Sequence, residues 1–185
     1  MTNKFPASYY KRVIETLLSQ KDEINDLTTP AIVLVDTLKM LSELLHLNRG
    51  RIFLWDESVQ GLRIKHSYKL SKEEINKGRY EVCEGITGNV FDTGKAALVS
   101  NIMLDTDYLG KVTPRHLFED KQVSYIAVPI EKNSFIYGVL AVETITHYDG
   151  DVEANALVLR LVADMFGDII STYSLCDCDF EYECA

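Results

Sequence analysis

The sequence predicts an α+β fold: a central six-stranded antiparallel sheet with helices at both ends of the chain and helical loops between its strands. Three observations lead to it. Helical apolar stripes open and close the chain. Short apolar or alternating runs between them fall into pairs joined by polar turns, the pattern of antiparallel hairpins. A polar stretch from 84 to 121, punctuated by Gly and Pro, separates the early strands from the late ones. No repeat, low-complexity tract or linker divides the 185 residues, which suit one domain able to bury a real core.

The elements follow in order. From Ser8 to about Ile24, Tyr9, Val13 and Leu17 repeat at helical spacing, with Tyr10, Ile14 and Leu18 beside them. Thr28 or Thr29 caps a second, more apolar helix that has Pro30 at its first position and runs to His46. Asn48-Arg49-Gly50 ends it. Arg51–Trp55 and Leu62–Tyr68 read as a hairpin around the tip Asp56–Gly61. Ser71 and Glu74 form a capping box for a short helix. Arg79–Cys83 reads as a short strand, with Cys83 as a small core residue. Gly85–Lys95 reads as glycine turn, short helix and glycine stop, followed by a strand at Ala97–Val99. The segment 101–121 is irregular, a length that marks a functional or mobile connection. Ser124–Ile130 and Phe135–Val142 are the most apolar strands and form the second hairpin. A last helix starts near Asp149 and carries Val152, Ala156, Leu159, Val162, Phe166, Ile169 and Ile170, with Gly167 as a weak point.

Composition bounds the function. Hydrophobic residues make up 46% and charged residues 25%, which is ordinary for a globular chain. No run approaches the roughly 20 apolar residues that cross a bilayer, and Met1–Pro6 does not open a signal peptide; a cytoplasmic location is expected. The net charge of −9, with no dense basic patch, opposes direct binding to nucleic acid. Four cysteines, three of them (Cys176, Cys178, Cys184) in the last ten residues, read as thiols of a reducing compartment rather than a disulfide framework.

Glu84-Gly85-Ile86-Thr87-Gly88-Asn89-Val90-Phe91-Asp92-Thr93-Gly94-Lys95 resembles the EGITG…TGK segment of GAF domains. Ser124–Ile130 is similar to their S-x-x-x-VP-I strand, and Gly138–Glu143 to their GVL-x-V strand. The resemblance covers about Thr28 to Ile170. Within the family, the wording looks closest to the amino-terminal domains of sigma-N-dependent activators of the nitrogen-fixation type. Such domains precede an ATPase module and a DNA-binding module, and the chain holds neither a phosphate-binding loop nor a basic helix-turn-helix pattern. The resemblance implies a GAF fold, with terminal helices on one face of the sheet and helical loops over a ligand pocket on the other, and a regulatory sensor domain, without catalysis, from a longer regulator. The expected organisation is a dimerisation helix over 1–26, a GAF domain over 27–172 ending in a signalling helix, and a cysteine-bearing tail over 173–185.

Site residues are sought against this background. A pocket between the sheet and the loops of 84–121 would be lined by Trp55, Tyr108, Arg115, Tyr125 and Glu143, with Arg115 suited to a carboxylate or phosphate. Against these stand the bland readings, core aromatics for Trp55 and Tyr125 and a surface position for Arg115. Gly85 and Gly88 read mainly as turn chemistry. The acids of the long loop (Asp105, Asp107, Glu119, Asp120) with His116 offer hard metal ligands, though acidic loops are usually just solvated. Cys176, Cys178 and Cys184 could ligate metal or sense redox state, but a fourth ligand is missing, so incidental thiols are the plainer reading. No cofactor is assigned. A GAF-type free methionine sulfoxide reductase needs a thiol after the first glycine turn, whereas Cys83 precedes Gly85. No cysteine in the long loop suits a bilin, and the cyclic-nucleotide signature is absent, Asp56-Glu57 reading as a solvated tip. The expected partners are a second copy, through the helical stripes, and the downstream module or a regulatory protein. A docking module without ligand is the remaining alternative.

Overall fold

The computed structural model describes residues 5–19, 30–118, 121–145 and 152–173. The elements are α1 (Ala7–Ser19), α2 (Pro30–Leu45), β1 (Asn48–Asp56), β2 (Gly61–Ser67), α3 (Lys72–Lys77), β3 (Arg79–Tyr80), α4 (Gly85–Thr93), β4 (Ala97–Val99), β5 (Val123–Lys132), β6 (Phe135–Ile145) and α5 (Val152–Tyr173). All neighbouring strands are antiparallel, in the order β3-β2-β1-β6-β5-β4.

The two-residue period of the strands sorts the core into two layers. Ile52 and Leu54 of β1, Ile126 and Val128 of β5, and Leu140 and Val142 of β6 pack with α1, α2 and α5. Phe53, Tyr125, Ala127, Val139 and Ala141 point the other way, under α4 and the long loop. The terminal helices therefore share one face and the helical loops cover the opposite one, as expected. No helix among the described residues is long and apolar enough to cross a membrane.

Local chemistry explains the boundaries. Ser71 and Glu74 cap α3 reciprocally. Gly94, at φ +66, closes α4 through its N–H to the Val90 carbonyl. The β5–β6 turn puts Asn133 and Ser134 both at positive φ, the twist that joins antiparallel strands in two residues. Pro129 falls where its missing N–H does least harm, because β4 stops opposite Ala127. Gly85 is at φ +57, whereas Gly88 is required by space: a Cβ there would strike the Glu81 carbonyl oxygen.

Four expectations are corrected. Asn48–Gly50 does not merely end a helix; it begins β1 through an irregularity between Asn48 and Arg51 in the ladder with β6. The strand expected over Arg79–Cys83 stops at Tyr80, and Cys83 is exposed at φ +64, because the chain there turns into α4 instead of pairing. Asp56 is not a solvated tip: it is 8% exposed and accepts from Ser58, with Lys65 at 3.0 Å and Arg63 at 3.4 Å. The Ser58 hydroxyl, then Lys65, outweigh burial and hold its carboxyl well below the usual range. Gly167 is no mere weak point, since a Cβ there would collide with the Glu131 carbonyl oxygen. It lets α5 lie directly on β5, where Lys132 and Asp168 form an ion pair.

Two outcomes follow from this packing. Replacing Gly167 by Ala forces α5 off β5, and the loss should be about 1–3 kcal/mol in urea unfolding despite the gain in helix propensity. His66, 7% exposed, has its imidazole pushed down to about 4 by burial and then by Lys65. The unfolded ring takes its proton near pH 6.5. Between those values the unfolded chain binds more protons, so this stability is complete above about pH 6.5 and drains away toward pH 4. The amount is roughly 3 kcal/mol, and His66→Leu should flatten that part of a plot of unfolding free energy against pH.

Candidate functional site: a buried ion-pair cluster beneath a strapped loop

The site grows out of the irregularity in β1. Arg51 stands opposite Ala141, and Asn48 opposite Glu143, so Arg49 and Gly50 are accommodated between two ladder positions. Arg49 adopts φ +53 there, and both arginines reach the same carboxylate. Arg51 Nη2 donates to Glu143 Oε1 at 2.7 Å, and Arg49 Nε lies 3.1 Å from Oε2. Arg49 also meets Glu74 of α3 and donates to Thr113 Oγ1 at 3.1 Å.

Arg51 and Glu143 are 1% and 2% exposed. Moving both charges out of water costs several kcal/mol each, so each survives only because the other is present. Burial by itself disfavours the Arg51 cation, and the Glu143 carboxylate more than restores it, raising its affinity for the proton. The satisfaction is incomplete. Arg51 Nε has no hydrogen-bond partner, and Glu143 Oε2 has the nearby Arg49 charge without hydrogen-bond alignment.

Two tyrosines complete the cluster. Tyr108 Oη lies 3.1 Å from both Glu143 Oε1 and the Thr113 carbonyl. Burial and then the Glu143 charge keep its phenol protonated far above the ordinary range. The Arg51 guanidinium stacks over the Tyr125 ring, 5.2 Å from its centroid, and the Tyr125 hydroxyl shares a 3.0 Å hydrogen bond with Thr87.

The loop from 100 to 118 is strapped over this cluster. Ile102 N–H donates to the Val123 carbonyl at 2.9 Å, and Ile86 N–H to the Asp107 carbonyl at 3.2 Å. Lys111 pairs with Glu84 at 2.5 Å, donates to the Arg79 carbonyl at 3.0 Å and sits over the Tyr80 ring. Arg115 donates to the carbonyls of Met103, Asp105 and Tyr108. The space left between Tyr80, Thr87, Tyr108 and Tyr125 is only about 10 Å³, the scale of one water.

Of the five expected lining residues, Tyr108, Tyr125 and Glu143 come together. Trp55 does not: it lies farther along β1, stacked on Phe91 at 5.7 Å and donating to Glu57. Arg115 is half-buried and turns its guanidinium toward the loop's own carbonyls. Of the loop acids, Asp105 is engaged through one oxygen, Oδ1 accepting from the N–H groups of Asp107 and Tyr108, while Asp107 is exposed. Among the described residues no three His, Cys, Asp or Glu side chains converge as a metal site. Glu119, Asp120, Cys176, Cys178 and Cys184 lie outside the described residues. Arg49, Arg51, Thr87 and Lys111 went unrecognised in the sequence. For Arg51 a signal existed: it holds the inward phase of Phe53 on the most apolar early strand.

Glu143→Ala strands Arg51 as an uncompensated buried cation and should cost about 3–5 kcal/mol. Arg51→Met with Glu143→Leu should recover most of that loss. The exposed pair Lys77–Glu73 sets the contrast, its removal changing urea unfolding by under about 0.5 kcal/mol.

Comparison with known proteins places the chain. The profile of the GAF domain matches residues 31–170. The Nif-specific regulatory protein of Herbaspirillum seropedicae is 30% identical over 143 residues, 75% of this chain and 26% of that protein. Nitrogen fixation protein AnfA of Azotobacter vinelandii is 28% identical over 74% of this chain and 25% of its own length. The chain thus spans about a quarter of the curated relatives it matches. The GAF domain of nlh2 from A. aeolicus, in an inactive state, superposes with a TM-score of 0.73 at 20% identity, covering 89% of this chain and 97% of that one. The GAF domain of a phosphoenolpyruvate-protein phosphotransferase from Coxiella burnetii gives 0.77 at 15% identity, covering 92% and 97%. The free methionine-R-sulfoxide reductase of Neisseria meningitidis, with its substrate, gives 0.70 at 18%, covering 94% and 98%. With the profile running from the start of α2 to the apolar end of α5, and the strand order and the two-layer core already in place, the chain belongs to the GAF domain family.

Proposed function

We propose that the chain is the regulatory sensor domain of a nitrogen-fixation-type transcription activator. It controls a downstream ATPase and DNA-binding module through a ligand-, partner- or redox-dependent change in a dimer. One observation carries the reading. The cluster of Arg49, Arg51, Glu143 and Tyr108 joins the strapped loop to the central strands whose opposite face bears the terminal helices. Any input that moves the loop must disturb a buried charge pair, and that disturbance is felt where α2 and α5 pack. The names of the relatives favour the same assignment.

In this organisation residues 1–26 form the dimerisation helix, 27–172 the sensor with its signalling helix, and 173–185 a connecting tail. The dimer forms through the groove between α1 and α5, which is lined by Ile14, Leu17, Leu18, Val158, Leu161 and Val162. Leu157 and Leu161 of α5 stand 65% and 40% exposed, apolar side chains that a second copy would cover.

The second reading, a methionine sulfoxide reductase, has the fold likeness in its favour and the chemistry against it. Cys83 is exposed, but slight desolvation and then its hydrogen bond to Asp92 raise its thiol above the ordinary value, opposite to an activated nucleophile.

Sedimentation of the chain at tens of micromolar should give a dimer, and Leu157→Glu with Leu161→Glu a folded monomer. A strict monomer for the native chain would remove the dimer from the mechanism. Incubation with free methionine-R-sulfoxide and a thiol reductant should give no turnover above the Cys83→Ser control; turnover lost in that control would establish the reductase instead.

A further inference from the structure

A second site lies at the sheet edge formed by β4, on the side covered by α4 and the long loop. Between α4 and β4 runs an open groove of about 370 Å³. Its helical wall is formed by Ile86, Asn89, Val90 and Thr93, the i, i+3, i+4, i+7 face of α4. Its other wall includes Ala97, Leu98 and Val99 together. Consecutive strand residues point to opposite faces, so a groove touching all three runs along the strand's edge rather than over one face. β4 is the terminal strand, bonded only to β5. Its outer backbone groups therefore face the groove.

A free strand edge across from a helix face of mixed polarity, Ile86 and Val90 between Asn89 and Thr93, is a geometry in which an extended peptide adds as a further strand. The floor is apolar, with Ile86, Val90 and Val99 each under 10% exposed. Leu98 on its wall is 43% exposed, apolar surface that a docked segment would cover. Asp105 and Asp107 line the groove on the loop side, with Lys95 the single cation among the lining residues.

We infer that the α4/β4 groove docks an extended, apolar segment of a partner protein that carries basic side chains. The segment pairs with the edge of β4, places alternate apolar side chains against Ile86 and Val90, and sets a basic residue at Asp105 and Asp107. Charge argues against this chain's own tail as occupant. Residues 174–185 include Asp177, Asp179, Glu181 and Glu183 and no Lys or Arg, and the whole chain carries −9.

The test is a nuclear magnetic resonance titration of the labelled chain with the blocked hexapeptide Ac-KVTVKV-NH2. Its controls are the charge-reversed Ac-EVTVEV-NH2 and the strand-breaking Ac-KVPVKV-NH2. Shifts should appear at the amides of Ala97–Val99 and the methyls of Ile86 and Val90, with a dissociation constant below roughly 1 mM. Both controls should bind at least about tenfold more weakly. Asp105→Asn with Asp107→Asn, which keeps the oxygen that caps the loop, should weaken binding about threefold to tenfold. Leu98→Glu, at an exposed position, should abolish it with the unfolding midpoint unchanged. Equal binding of the three peptides, shifts confined to α1 and α5, or no shift at millimolar peptide would each overturn the inference. None of these outcomes bears on the dimer, which rests on the α1/α5 groove.

Discussion

The pairing of Arg51 with Glu143 is the constraint around which the loop face of this domain is arranged. Two charges almost fully removed from water cannot be left alone, and the surrounding groups answer to that need. Arg49 leaves the regular ladder to add a second cation near the carboxylate. Tyr108 brings a hydroxyl from the loop, and Tyr125 lays its ring under the guanidinium. The loop over them is held by its own devices, chiefly Arg115 within it and Lys111 at its margin. What a sheet residue needs electrostatically thus fixes where a long irregular segment lies.

This arrangement bears on how such a domain responds. The interior beneath the loop is occupied by tyrosine side chains rather than by open volume. A ligand or partner acting there has to shift Tyr108 or Tyr125, and with them a contact to Glu143 or Arg51. Arg51 Nε and Glu143 Oε2 are buried without a hydrogen-bond partner, so the cluster does not make every hydrogen bond its groups could form. Interactions of this kind tend to have two discrete arrangements rather than a continuum, which is the property a switch requires.

Much of the fold was legible because its signals are local and periodic. The capping box at Ser71 and Glu74, the glycine stop at Gly94 and the two apolar hairpin strands each announce themselves within a few residues. The candidate site was legible only in part. Tyr108, Tyr125 and Glu143, three of the five residues the sequence offers for a pocket, converge, while Trp55 lies farther along β1 and Arg115 within the loop. Arg115 is indistinguishable by type from a ligand-binding arginine until its carbonyl partners are known. Arg51 shares the phase of Phe53, but a cation at the start of a strand also reads as an exposed end. Its burial is decided by residue 143, far away in sequence, and by an irregularity that alternation alone does not reveal. Cys83 failed for a related reason: strand propensity in Arg79–Cys83 yields to the turn that Gly88 and the Glu81 carbonyl demand.

The hydrogen bond from Tyr10 of α1 to Asn155 of α5, at 3.2 Å, gives the family boundary a physical meaning. The family profile begins at residue 31, after α1, yet α1 supplies Val13 and Leu17 to the helix-side core and a partner to an asparagine that is 1% exposed. A chain begun at residue 31 would uncover an apolar stripe and leave a buried amide to water or to a neighbouring molecule. The first helix is therefore part of the folding unit in this protein, and a domain outlined by shared sequence is smaller than the one outlined by shared solvent exclusion.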